Sequence, residues 1–131
     1  MNSVAEDVKD MLVDDDDLDF TFGTNLFMGK EPLKPNECTT IFEVMGYAPQ
    51  LTYNSAEKYE YPSVQIRVRA NNYTEGFALI ESIKESLHGR AGETWGGTYY
   101  SLIHCMNGPA MLDFDKNGRV RFIINLNLQR R

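Results

Sequence analysis

The sequence predicts an α+β domain, a mostly antiparallel β-sheet with two helices packed on one face, and three stretches carry that expectation. In residues 62–69, Val64, Ile66 and Val68 alternate with Gln65, Arg67 and Arg69, the two-residue period of a strand with one apolar face. Residues 119–128 hold a second apolar strand, and Phe77, Ile80, Ile83 and Leu87 recur at the spacing of a single helix face. The elements arrive as helix, strands, helix, strands rather than as a βαβ series, which favours antiparallel pairing with the helices on one side.

Taken in order, Ser3 and Glu6 stand at capping-box spacing, and Val4, Val8, Met11 and Leu12 then mark an amphipathic helix of roughly three turns. The run Asp14-Asp15-Asp16-Asp17 should end it, because like negative charges at a C-terminus oppose the helix dipole. Leu18, Phe20 and Phe22 alternate with Asp19 and Thr21, so a half-buried strand is expected over 18–28, stopped by Gly29 and Pro32. A second strand is expected from Cys38 to Met45, closed by Gly46. Residues 47–61, with Pro49 and Tyr47, Tyr53, Tyr59 and Tyr61, read as a surface excursion.

After the 62–69 strand, whose arginine face should be basic and wet, Asn72 or Thr74 caps the second helix and Gly89 takes its C′ position. Residues 89–98 then form a glycine-rich loop around Trp95. Strands are expected over 99–106 and 119–128 with a shorter apolar piece from Ala110 to Phe114, and Asn117-Gly118 suits a two-residue hairpin turn between Phe114 and Val120. There is no internal repeat and no low-complexity linker, so residues 1–131 read as one domain.

Composition narrows function. At 131 residues with 42% hydrophobic side chains the chain can close one core. A net charge of −6 argues against gripping nucleic acid, which needs clustered Lys and Arg to release counterions. No basic-then-apolar leader opens the chain and no apolar run approaches the roughly 18 residues of a membrane span, so the protein is expected to stay in the cytosol. Cys38 and Cys105 sit among apolar and β-branched neighbours and read as buried free thiols.

The sharpest motif is Asp113-x-Asp115-x-Asn117-Gly118, the first half of a calcium loop. Its twelfth position should be a bidentate Glu and is Ile124, so the hairpin turn explains the segment better. The Asp14–Asp17 run could hold a cation but reads first as a solvated helix end. His88 and His104 lack second ligands at metal spacing, and His104-Cys105 adjacency sends the two side chains to opposite sheet faces. Phosphate-loop, nucleophile-elbow and His-Glu-x-x-His signatures are missing, which favours a non-enzyme. Features suited to interfaces are plentiful instead: Trp95 in its glycine loop, Tyr61 among the tyrosines, and Arg67, Arg69, Arg119 and Arg121 on strand positions expected to be exposed. Trp95 equally suits a plug over the sheet end, and the arginines equally suit soluble strand faces.

Several landmarks together resemble a known family. They are Leu26-Phe27-Met28-Gly29 followed by Pro32 and Pro35, Cys38 to Gly46 running into Tyr47-Ala48-Pro49, and Tyr61-Pro62 through Arg69 with Asn72-Tyr73 and a helix closing at Leu87-His88-Gly89. Gly108-Pro109 and Asp115 to Arg119 before the last strand complete the set. Across most of its length the chain is similar to the tail-terminator family of long-tailed bacteriophages, also called phage minor capsid proteins; it departs from the family pattern at Ala70, where glycine is common, and in its acidic run.

The resemblance implies a non-enzymatic, cofactor-free subunit of a ring, a hexamer, that caps the finished tail tube and presents a joining surface to the head connector. It implies assembly in the host cytoplasm and residence in the virion neck, with DNA passing through unbound. On that reading Trp95 contacts the tube, Arg67 and Arg69 lie between subunits with Tyr61, Arg119 and Arg121 as further interface candidates, and Asp14, Asp15, Asp16 and Asp17 face the lumen. The rival readings are another neck or head-completion protein, a calcium-dependent binding module using Asp113, Asp115 and Asn117, and a small enzyme with an unrecognised site.

Overall fold

A computed structural model describes residues 1–51 and 58–131. Two helices, α1 (Val4–Asp14) and α2 (Tyr73–Leu87), lie with strands β1 (Leu26–Met28), β2 (Cys38–Leu51), β3 (Lys58–Ala70), β4 (Glu93–Trp95), β5 (Thr98–Cys105), β6 (Ala110–Phe114) and β7 (Val120–Arg130). The strands form one sheet in the order β1-β2-β3-β7-β5-β4, with β6 beside the first half of β7 and β5 beside its second half. Among the described strands β1–β2 is the one parallel pair, so the α+β, mostly antiparallel expectation holds.

The alternation read from the sequence decides which face is covered. Val64, Ile66 and Val68 of β3 pair with Leu126, Ile124 and Phe122 of β7, and all six are buried. Against them pack Val8, Met11 and Leu12 of α1 and Ile80, Ile83 and Leu87 of α2, so both helices cover the same face in one core. Each helix start is satisfied locally. Ser3 and Glu6 form the reciprocal capping box on α1, and the Asn72 side chain accepts from the Glu75 amide at 2.9 Å on α2. Gly76, rather than Phe77, meets the sheet: a Cβ there would stand 2.7 Å from the Phe122 ring, and only glycine lets the helix approach so closely. Phe77 is displaced to the rim of the core, where it stacks on Tyr73.

Several expectations need correction. Residues 18–28 are not one strand; only Leu26–Met28 pairs with β2, because Asp19 takes a left-handed φ of 54° and the chain turns through Thr21–Asn25. Gly46 does not end β2. The strand runs on to Leu51 through an irregular ladder in which a Cβ at Gly46 would stand 2.2 Å from the Tyr61 carbonyl oxygen. The surface excursion is therefore the far half of a long β2–β3 arm, with Tyr47 opposite Tyr61, while Tyr53 lies outside the described residues. The glycine-rich 89–98 stretch contains β4, folded back on β5 through Gly96-Gly97. The last hairpin closes on the Asp115–Arg119 pair, leaving a three-residue loop with Gly118 at φ 77° instead of a two-residue turn.

Candidate functional site

The sheet face away from the helices carries the polar half of each alternation, and its groups bond to one another. Ser63 donates to Asn127 at 2.5 Å, Gln65 to Asn125 at 3.2 Å and Arg67 to Gln65 at 2.8 Å, with the Arg67 guanidinium 4.8 Å over the Phe42 ring. Arg67 is thus half-buried on a partly wet face. Tyr61 is half-buried on the arm, and Met45 and Tyr47 beside it are exposed.

The other strand arginines do not share that setting. Arg69 is only 2% exposed: its Nη2 donates to the Pro35 carbonyl at 2.7 Å, Nε to the Asn36 carbonyl at 3.1 Å, and Nη1 pairs with Glu31 at 3.2 Å. Arg119, 7% exposed, bonds Asp115 at 2.6 Å and the Leu33 carbonyl at 2.8 Å. Arg121 pairs with Glu31 at 2.7 Å and with Asp113 at 3.3 Å. Three guanidinium groups therefore clasp residues 31–36 down over the sheet end, and the expectation of a basic, wet face fails at Arg69 and Arg119. A sequence shows the period that puts Arg69 beside Arg67 on one face; it does not show that a loop 33 residues away lies over one and not the other.

The same clasp occupies the would-be calcium ligands. Asp115 accepts from the amides of Asn117 and Arg119 and from the Arg119 guanidinium. Burial pushes its carboxyl up, but those backbone and side-chain hydrogen bonds outweigh it and hold the group below its ordinary value. Ile124 is buried in the core, so the position that should close a calcium loop points away.

Trp95 turns out to be held at home. Its ring packs against the core, its Nε1 donates to Glu93 at 2.8 Å, and the Arg90 guanidinium lies 5.8 Å from the ring centre. Asp14, Asp16 and Asp17 are exposed at the end of α1 with Asp15 half-buried, and Asp17, Glu81 and Glu85 of α2 share a shallow cleft. Cys38 is buried and Cys105 half-buried, both free; burial raises each thiol above its usual value and keeps it protonated. His88 accepts from the Cys105 amide through Nδ1 at 2.9 Å, and His104 pairs in register with Asn127 on the opposite face.

A cleft of about 250 Å³ opens between the start of α1 and the root of the arm, lined by Glu43, Glu60, Ser3, Ser63 and Arg130. Its two serine hydroxyls are already committed, Ser3 to capping and Ser63 to Asn127, so neither is an activated nucleophile.

What the chain does leave uncovered is sheet edge. Beyond Ile41, β2 has no strand on its outer side among the described residues, and β6 pairs with β7 on one side only. All five residues of β6 are exposed, with Phe114 at 60%. A family model described as bacteriophage tail terminator protein matches residues 5–131. The chain belongs to that family. No curated protein matches it. Membership makes it a structural protein of phage tail assembly. The sequence reading did not single out Met111, Phe114, Tyr73 and Leu33, which the fold leaves exposed near one end of the sheet. One signal was available: Ala110 to Phe114 lacks the polar alternation of a half-buried strand.

Proposed function

We propose that this tail terminator closes into a ring of six copies that caps the completed tail tube and offers the joining surface to the head connector. The observation carrying this reading is the pair of unlike open edges on opposite sides of the sheet, the outer half of β2 and the strand β6. A closed ring requires a heterologous contact, one patch against a different patch of the next subunit, and two non-equivalent edges supply it. Exposed edge backbone is a template for pairing with another chain, and the apolar side chains Met45, Tyr47 and Phe114 add burial to the hydrogen bonds.

Tyr61 takes an inter-subunit role on the arm, while Arg67 orders the polar sheet face through Gln65 and Phe42, and Arg69, Arg119 and Arg121 act indirectly by fixing the 31–36 loop. Trp95 contributes through the shape of the β4–β5 corner. In this reading Asp14, Asp15, Asp16 and Asp17 line the lumen and repel phosphate, so DNA passes without sticking. The protein assembles in the host cytoplasm and ends in the neck of the virion.

Native mass spectrometry and negative-stain electron microscopy of the purified protein, with and without tail tubes, test the reading. Six-fold rings, free or seated on tube ends, are expected. A monomer at every concentration that also leaves tube ends bare would end it, and neutralising Asp14–Asp17 with no change in DNA passage would remove the lumen assignment.

A further inference from the structure

We propose that the Asn107-Gly108 step, where the chain leaves β5 for β6, is a site of slow self-modification. With water as the other reactant it converts to aspartyl and isoaspartyl forms, the isoaspartyl form loosens the root of β6, and the Asn117-Gly118 step of the last hairpin is spared. The inference concerns the chemistry of a single copy and stands apart from the ring reading.

The main-chain nitrogen after an asparagine can attack the side-chain Cγ. The new N–Cγ bond closes a five-membered succinimide, the Cγ–Nδ2 bond breaks, and Nδ2 departs as ammonia with the glycine amide proton. Water then adds to one of the two ring carbonyls. Addition at Cγ restores the normal chain with an aspartate; addition at the main-chain carbonyl leaves the chain running through Cγ, an isoaspartate. Nothing is oxidised or reduced. The step is favoured where the attacking nitrogen is uncrowded and unbonded, where a donor supports the oxygen on which charge gathers, and where the leaving nitrogen meets water.

Asn107-Gly108 meets all three conditions. Both residues are exposed, Gly108 has no Cβ to crowd the attack, and its N–H has no acceptor among the described residues. Asn107 Oδ1 accepts from the Asn125 amide at 3.3 Å, so a donor is already in place for the developing oxyanion. Asn107 Nδ2 has no acceptor among the described residues and leaves freely. The other described asparagines followed by a small residue are tied. Gly118 donates its amide to the Asp115 carbonyl at 3.0 Å, and Asn117 donates to Asp115 Oδ1 at 3.0 Å, with Asp115 itself held by Arg119 at 2.6 Å. Ser3, after Asn2, donates its amide to Glu6 at 3.1 Å in the capping box.

The place of the step in the fold gives the modification a consequence. Pairing of β5 with β7 ends at Leu126 and pairing of β6 begins at Ile123, which leaves Asn125 in the gap. Residues 106–107 fill that gap: the Met106 amide donates to the Asn125 carbonyl at 2.9 Å, and Asn107 Oδ1 receives the Asn125 amide. Isoaspartate adds a methylene to the main chain at this point and carries the acceptor out of line, so the Asn125 amide loses its partner.

The test is to hold the full-length protein at physiological temperature, folded and in urea, and to follow the peptides containing residues 107 and 117 by mass spectrometry after digestion. Labelling with an isoaspartyl methyltransferase tells the two products apart. In the folded protein Asn107 should convert about five-fold faster than Asn117, the rate factor of the one hydrogen bond Gly118 must release, and in urea the two should draw level. Gly108→Ala places a Cβ that meets nothing within 4 Å, so it should keep the parent's melting temperature while slowing conversion severalfold. Amide exchange at Asn125 should be faster in the isoaspartyl fraction. The proposal is overturned if Asn117 converts as fast as Asn107 in the folded protein, if folding stops a conversion of Asn107 that urea permits, or if Gly108→Ala ages like the parent. An isoaspartyl fraction whose Asn125 amide exchanges at the parent's rate overturns the loosening of β6.

Discussion

Replacing Arg69 by methionine tests the clasp, because the aliphatic stem is kept and the guanidinium alone is lost. The Pro35 and Asn36 carbonyls then lose donors at 2.7 and 3.1 Å in a site where the arginine is 2% exposed. A hydrogen bond from a charged donor contributes about 1.5–3 kcal/mol, so two come to roughly 3 kcal/mol at the low end. Glu31 adds little, since it keeps Arg121 at 2.7 Å. For a domain of this length such a loss lowers Tm by roughly 10–15 °C. Arg67→Met is the matched control, removing one hydrogen bond to Gln65 and one contact over Phe42 on a partly wet face, together worth under about 1 kcal/mol. Urea unfolding followed by circular dichroism, at one fixed protein concentration so that association does not shift the midpoint, reads both. Equal losses in the two variants, or an Arg69→Met protein that melts with the parent, would refute the clasp and return Arg69 to the exposed role its strand position suggested.

Tyr100→Phe should cost about 1–3 kcal/mol, because it leaves the fully buried Asp7 carboxylate without its 2.5 Å hydroxyl and dependent on Asn2 at 3.3 Å; the same urea titration checks it. Gly46→Ala must open the 2.2 Å approach to the Tyr61 carbonyl by about 0.8 Å, an overpacking of about 1–3 kcal/mol that should also cut ring yield in native mass spectrometry; unchanged stability would mean the arm does not hold this geometry. The depressed Asp115 carboxyl contributes stability that is present above the unfolded value of roughly 4 and is lost as pH falls through its lower folded value, so Asp115→Asn should flatten that acid limb, and an identical limb in both proteins would contradict it.

Where periodicity meets burial, the fold was legible. Val64, Ile66 and Val68, the 120–128 stripe, and Ile80, Ile83 and Leu87 all face the core as their spacing requires. Local signals failed where a distant segment overrode them. Gly46 reads as a stop, yet it is the one residue small enough to pass the Tyr61 carbonyl, so β2 continues through it. The Leu18–Phe22 alternation promised a strand, but among the described residues it makes one isolated bridge, Phe22 to Leu26, and a single bridge does not make a strand. Phe77 fits the helical stripe, but Gly76 takes the inward position because Phe122 fills the space beneath it. The candidate surface suffered similarly, since exposure is a tertiary property: the Arg67 and Arg69 side chains share one strand face and differ only in whether residues 31–36 lie on top.

The two kinds of uncovered surface are not equivalent, and the difference bears on how copies join. On the sheet face, Ser63 with Asn127, Gln65 with Asn125 and Arg67 with Gln65 already answer one another, so a partner there would have to strip water from amides whose best bonds are made within the chain. At the edges the balance reverses. Outward amides of β6 and of β2 beyond Ile41 gain bonds, and Met45, Tyr47 and Phe114 leave water at the same time. Contact through the edges therefore gains hydrogen bonds and apolar burial together, whereas contact through the face exchanges satisfied groups for satisfied groups. On the proposed ring, the edges would join the subunits, and the polar face, stable in water by itself, would remain as a wall that needs no partner.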